Sequence, residues 1–170
     1  SVIATGLALR LADYVVTECG FGSDLGAEKF FDIVVRSGAV PPPSAVVLVA
    51  TLRSLKYHGG VKLDALLQEN IAAMEKGYAN LQAHVDIVRQ YGLPVVVALN
   101  RFPADSPAEI GAFAARAAAD QLPYALSDVF GAGGSGGLDL AAKVVEAASS
   151  NAGEFRVLYP LEASIPEKLE

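Results

Sequence analysis

Residues Pro94–Asp105, PVVVALNRFPAD, decide the architecture. Pro94–Leu99 is a short valine-rich run with no polar residue on either face, the pattern of a parallel strand covered by helices on both sides. It ends abruptly in a polar loop at Asn100. Before it, Leu63–Tyr91 carries Leu66, Ile71, Met74, Leu81, Val85 and Val88 at helical spacing, with a break expected near Gly77. After it, the alanine-rich stretch Pro107–Gln121 reads as another helix. The same grammar extends outward. Tyr14–Thr17, Ala45–Ala50 and, more weakly, Pro123–Leu126 read as further buried strands. Leu25–Val35 and Leu138–Ala148 read as helices, and Pro41-Pro42-Pro43 is a stiff lead into the second strand. Strands alternating with helices through short connections predict an α/β fold, a mostly parallel sheet with helices on both faces.

The composition limits what such a fold can do. The 170 residues are 52% apolar and only 19% charged, against a usual charged share of about 25%. One domain with a real core is expected, with much of its surface covered. Residues 1–150 read as part of that α/β domain; beyond Asn151 the pattern weakens, and 151–170 read as the start of a following region. The chain opens inside an apparent helix without an initiating methionine, which points to a segment of something larger. A net charge of −6 with no basic cluster argues against nucleic acid. The lone Cys19 fits a reducing, cytoplasmic setting. No apolar run reaches the roughly 18 residues of a membrane span.

In open α/β sheets, ligands bind beyond the carboxyl ends of the strands. That rule selects four loops. The first lies in VVTECGFGSDLGAEKFF, Val15–Phe31, where Gly20, Gly22 and Gly26 allow tight turns and Asp24 stands at a helix start. It is either an anion or nucleotide site or a plain capped helix with Glu28 and Lys29 in solvent. The second, TLRSLKYHGGV, holds Arg53, Lys56 and His58 before Gly59-Gly60. It is either a cationic cradle for phosphate or carboxylate, or an ordinary surface turn. His58 and His84 lack ligand spacing, so no metal site is read.

The third loop, ALNRFPAD, sets Asn100 and a basic residue at a strand end as in the base-reading motif of GTPases. Pro103 stands where that motif needs aspartate, and Asp105 comes two residues late, which disfavours guanine recognition. Phe102 beside Pro103 is instead placed to stack on a planar ring. The fourth loop, LSDVFGAGGSGG, offers a second such ring, Phe130. Its Gly131, Gly133 and Gly136 satisfy G-x-G-x-x-G, yet no acidic strand end follows at the distance a dinucleotide site requires. The loop is more simply read as a passage for the chain.

The segment GFGSDLGAEKFFD resembles the GFGADLGAEKF segment of formate–tetrahydrofolate ligases. SVIATGLALRLADYVVTE, AVVLVATLRSLKYHGGV, ENIAAMEKGYANLQAHVDIVRQYGLPVVVALNRFPAD and GGSGGLDLAAKVVE resemble consecutive segments of the same family, in order, across essentially the whole chain. The resemblance implies a P-loop-type α/β domain within a cytoplasmic homotetramer. It implies an ATP-dependent ligation of formate to tetrahydrofolate through formyl phosphate, giving 10-formyltetrahydrofolate. Magnesium-bound ATP and tetrahydrofolate would be the ligands, and a monovalent cation such as potassium or ammonium the activator. By match, Asn100, Phe102, Pro103 and Phe130 would line the pterin and adenine rings. Phe130 departs from the family's usual tryptophan, which costs an indole N–H. Asp24, Leu25, Gly26 and Leu126 map near the reacting formyl group.

The family's phosphate-cradling loop, ending in Gly-Lys-Thr, lies upstream of the matched region, as does a key arginine. No G-x-x-x-x-G-K-[ST] occurs in these residues. The chain would then hold the ring-binding half of a site and be inactive alone. Two other readings remain at this stage: a catalytically inactive remnant that binds folate or nucleotide, and a nucleotide-binding oxidoreductase domain using the Gly131–Gly136 loop.

Overall fold

A computed structural model describes residues 2–150 and 153–169. Helix α1 spans Val2–Leu11, and two short helical segments of wide π pitch follow at Ser23–Ala27 and Phe30–Val35. Then come β1 (Val46–Ala50), α2 (Leu52–His58), α3 (Ile71–Gln90), β2 (Val95–Asn100), α4 (Pro107–Ala119), β3 (Tyr124–Ser127), α5 (Val129–Ala132), α6 (Leu138–Ser149) and α7 (Ile165–Leu169). The sheet runs β1-β2-β3, all parallel, with Val46 beside Val95 and Asn100 beside Ser127. This is an α/β fold.

The middle strand β2 is buried along its length because both of its faces are covered. Val95, Val97 and Leu99 join the main core with Met74, Tyr78, Leu81, Val85 and Val88 of α3 and Phe113 and Ala117 of α4. Each of the larger aliphatic side chains among them contributes roughly 1.5–3 kcal/mol by leaving water. Val96 and Ala98 point the other way, where α6 packs over β2 and β3. That cover stops short of β1. Val47 is 38% and Val49 70% exposed, so β1 is buried on one face only, against the two-faced burial its sequence suggested.

Tyr14–Thr17, expected as a strand, forms no ladder among the described residues; Tyr14 and Val16 are largely exposed. Its β-forming residues have no strand alongside to take their backbone hydrogen bonds. The helix expected from Leu63 begins instead at Ile71. Asn70 caps it, its Oδ1 accepting from the Ala73 N–H at 2.9 Å, and Leu63–Ala65 is a separate 3₁₀ turn.

Gly77 does not break α3. It is the crossing point with α2: a Cβ there would collide with the Leu55 carbonyl oxygen, and one at Gly59 with the Ala73 carbonyl oxygen. The two helices therefore meet backbone to backbone.

The boundary expected after residue 150 abuts residues 151–152, which lie outside the described residues. Beyond them the chain returns to the main body. Arg156 donates its backbone N–H to the Tyr91 carbonyl at 3.0 Å, and the Phe155 ring stacks on Tyr91 at 6.3 Å. No helix among the described residues is long and apolar enough to cross a membrane.

Candidate functional site

The parallel register brings the ends of all three strands to one edge, so the loops after Ala50, Asn100 and Ser127 begin side by side. Thr51 turns the first of them directly into α2. Its hydroxyl accepts the Ser54 N–H at 3.0 Å, and the Ser54 hydroxyl reaches back to the Thr51 backbone N–H, a reciprocal cap. The cationic stretch read as a loop is thus a helix from Leu52 to His58, with only Gly59-Gly60 and Val61 beyond it.

That helix distributes its basic residues unequally. Lys56 is buried with Glu109 of α4, Nζ to Oε1 at 2.9 Å, and also donates to the Gln68 carbonyl at 2.8 Å. Burial works to raise the Glu109 pKa. The backbone N–H groups of Asn70 and Ser106 and the Lys56 ammonium outweigh it and hold the carboxyl below its usual range. Lys56 is therefore a structural cation and is not available to an incoming anion. Arg53 lies over the Phe102 ring, 4.0 Å from its centroid.

The second loop is closed on itself. The Asp105 carboxylate accepts the Phe102 backbone N–H at 2.8 Å, and the Asp105 N–H donates to the Phe102 carbonyl at 3.0 Å. Asp105 thus fixes the turn that presents Phe102 and Pro103. Pro103 is exposed, while Asn100 and Phe102 are half-buried.

Arg101 ties this loop to the third, donating its backbone N–H to the Ser127 carbonyl at 2.9 Å and approaching Asp128 at 3.5 Å through its side chain. The side-chain pair is solvated and adds little. Past Asp128 the glycine-rich stretch doubles back: the Asp128 N–H donates to the Gly136 carbonyl at 3.0 Å. A Cβ at Gly136 would meet the Asp128 carbonyl. These glycines serve the close return of the chain. Phe130, on α5, is 92% exposed, and Leu126 is half-buried at the end of β3.

Asp24, Leu25 and Gly26 lie elsewhere. Their turn docks on the flank of α3, where the buried Ser23 hydroxyl and His84 Nδ1 are 2.6 Å apart. At 1.5 Å per residue, His84 is roughly 20 Å along α3 from its start at Ile71. Gly26 is required there, because a Cβ would strike the Gly20 carbonyl. Asp24 and Leu25 are exposed. The structure thus gathers Asn100, Phe102, Pro103, Leu126 and Phe130 at the strand ends and leaves the glycine turn apart.

Two features escaped sequence reasoning. Phe21 is 92% exposed and holds φ at +63°, a left-handed backbone that costs a bulky residue energy. Nothing in the sequence forecasts such a backbone at an aromatic. The Arg53–Phe102 stack joins residues 49 positions apart; only the placement of each at a strand end signalled it. Two crevices lie away from the strand ends. One of about 200 Å³ between Gln82, Asp86, Arg89 and Asp120 sits where α4 leads into β3, at the amino end of that strand. A smaller one borders Cys19, whose thiol pKa is pushed up by burial, with Lys29 lowering it less.

The family model described as formate–tetrahydrofolate ligase matches residues 1–170. A formate–tetrahydrofolate ligase of Granulibacter bethesdensis is 51% identical over 169 residues, which cover 99% of this chain and 29% of that relative. The chain thus spans less than a third of the length of the curated relative it matches.

Proposed function

This chain belongs to the formate–tetrahydrofolate ligase family, and from that premise we propose that the protein it forms part of ligates formate to tetrahydrofolate with ATP, yielding 10-formyltetrahydrofolate, ADP and phosphate. A formate oxygen attacks the γ-phosphorus of ATP, releasing ADP and leaving formyl phosphate. The N10 amine of tetrahydrofolate then attacks the formyl carbon, phosphate departs, and the amine loses its proton.

The described residues serve the second half of that sequence. Phe102 and Phe130 offer ring faces at the strand ends, with Asn100 and Pro103 beside them, and hold a planar heterocycle in place for attack, while Leu126 at the end of β3 stands near the formyl group. In the same proposal Asp24, Leu25 and Gly26 stand near the formyl group, which requires their turn to approach the strand ends in the whole protein. The phosphoryl groups need concentrated charge neutralisation. Lys56 is committed to Glu109, and no G-x-x-x-x-G-K-[ST] occurs in the sequence. The magnesium-bound triphosphate of ATP is accordingly held by other parts of the whole protein, which we take to be a cytoplasmic tetramer activated by a monovalent cation.

The observation that supports this reading above the rest is the 51% identity over 169 residues, which cover 99% of this chain. The test is an assay of the full-length protein for 10-formyltetrahydrofolate with ATP, formate and tetrahydrofolate supplied together and each omitted in turn. Product that depends on all three supports the proposal; none under saturating substrates overturns it.

A further inference from the structure

Arg53 and Lys56 stand three residues apart on α2, hence on one side of the helix. That side meets the segment from 102 to 109 at two points. Lys56 grips Glu109, and Arg53 covers Phe102. The first contact is fully dry, with side-chain exposures of 1% and 0%. Glu109 also accepts the Asn70 N–H at 2.8 Å and the Ser106 N–H at 3.4 Å, so α2, the start of α3 and the start of α4 converge on one carboxylate. A buried pair of this kind is an expensive way to gain stability, since well-packed apolar residues do as well or better. What it fixes is register: it sets α2 against the residue range that follows the Phe102 turn.

The second contact has a different character. Arg53 has no carboxylate partner among the described residues, and its Nε is buried without a hydrogen bond. The aromatic ring is what holds the guanidinium. A planar cation lying on one face of Phe102 restrains the ring and closes that face to anything else.

We propose that Arg53 is a positioning residue for the ring-binding site: it backs Phe102 so that a planar nitrogen heterocycle stacks on the opposite face alone, and the Lys56–Glu109 pair holds α2 where Arg53 can do so. The proposal rests on the ring-binding reading above and adds the residue that orients the ring.

The test uses the full-length protein and the variants Arg53→Met, Arg53→Lys, Phe102→Leu and the double variant Arg53→Met/Phe102→Leu. Arg53→Met should raise the KM for tetrahydrofolate or for ATP about three- to tenfold without raising that for formate. Arg53→Lys should recover only part of the loss, because an ammonium lacks the flat face. In the Phe102→Leu background, Arg53→Met should change nothing further, since it acts through the ring. A silent Arg53→Met beside an impaired Phe102→Leu overturns the positioning role and leaves ring binding intact. Additive losses overturn it as well. If Phe102→Leu is itself silent, ring binding falls and the positioning role with it. Thermal melts of each variant separate these outcomes from loss of fold, and Arg53→Lys, which keeps charge and length, decides the matter if Arg53→Met is unstable.

Discussion

Phe102 and Phe130 are both aromatic and both at strand ends, yet they are held very differently. Phe102 sits on a turn closed by Asp105 and is backed by Arg53, whereas Phe130 projects from a short helix with 92% of its surface free. Replacing either by alanine in the full-length protein should weaken binding of tetrahydrofolate or ATP by about 1–3 kcal/mol, read by titration calorimetry. Phe130→Ala should do so with no change in melting temperature, because the ring packs on almost nothing. Unchanged affinities for both ligands would overturn the stacking role of the rings.

Glu109 gives a second expectation at this scale. Its carboxyl is held below the ordinary range in the folded protein, so its contribution to stability is complete above about pH 4.3, the unfolded value. It is lost as pH falls through the lower folded value. Glu109→Gln should therefore lower stability at pH 7 and shrink the difference from wild type at pH 3, measured by urea unfolding. An undiminished difference at pH 3 would show that Glu109 acts by shape and not by charge. The strand-end placement of Phe102 and Phe130 was legible in the sequence because each follows closely on an apolar strand run. Arg53, Lys56 and Glu109 were not assignable, because what decides their roles is contact between residues 49 to 53 positions apart.

At the scale of elements, the strands Val46–Ala50, Val95–Asn100 and Tyr124–Ser127 follow their apolar runs closely. Apolar runs bounded by turn residues are read directly, but pairing is not. Tyr14–Thr17 has the right residues and, among the described residues, no ladder, since a strand exists only with a neighbour to bond. Gly77 was misread for a related reason. Alone, glycine in a helix suggests a break; here it admits another helix. This separates two glycines that sequence treats alike. Gly111, inside α4, has open space around its Cβ position, whereas Gly77 faces the Leu55 carbonyl. Gly111→Ala should stabilise by about 0.5–1 kcal/mol through helix propensity. Gly77→Ala should instead destabilise by about 1–3 kcal/mol through overpacking. Chemical denaturation of the two variants checks both signs; a stabilising Gly77→Ala would mean that α2 and α3 separate at little cost.

For the molecule as a whole, the determining feature is how unevenly the sheet is covered. The face toward α3 and α4 is closed, and α6 closes the other face over β2 and β3, but β1 is an edge strand whose Val47 and Val49 remain in water. Extended valine at an open edge is the usual template for pairing with another chain. Only 19% of the residues are charged, so little nearby opposes such pairing. The exposed Val16, Phe21 and Ile33 add apolar surface on the segments that precede the sheet. The 170 residues expressed by themselves should therefore associate into a broad range of species, growing with concentration, as read by light scattering after size-exclusion chromatography. Val49→Lys places a charge on the bare face of the edge strand without touching the core that Val46, Leu48 and Ala50 share with β2. It should shift the distribution toward monomer if β1 is the contact. A single sharp monomer peak for the wild-type segment at high concentration would show instead that this edge is protected by its own chain. An unchanged distribution for Val49→Lys would move the contact away from β1, to the apolar surface around Val16 and Phe21.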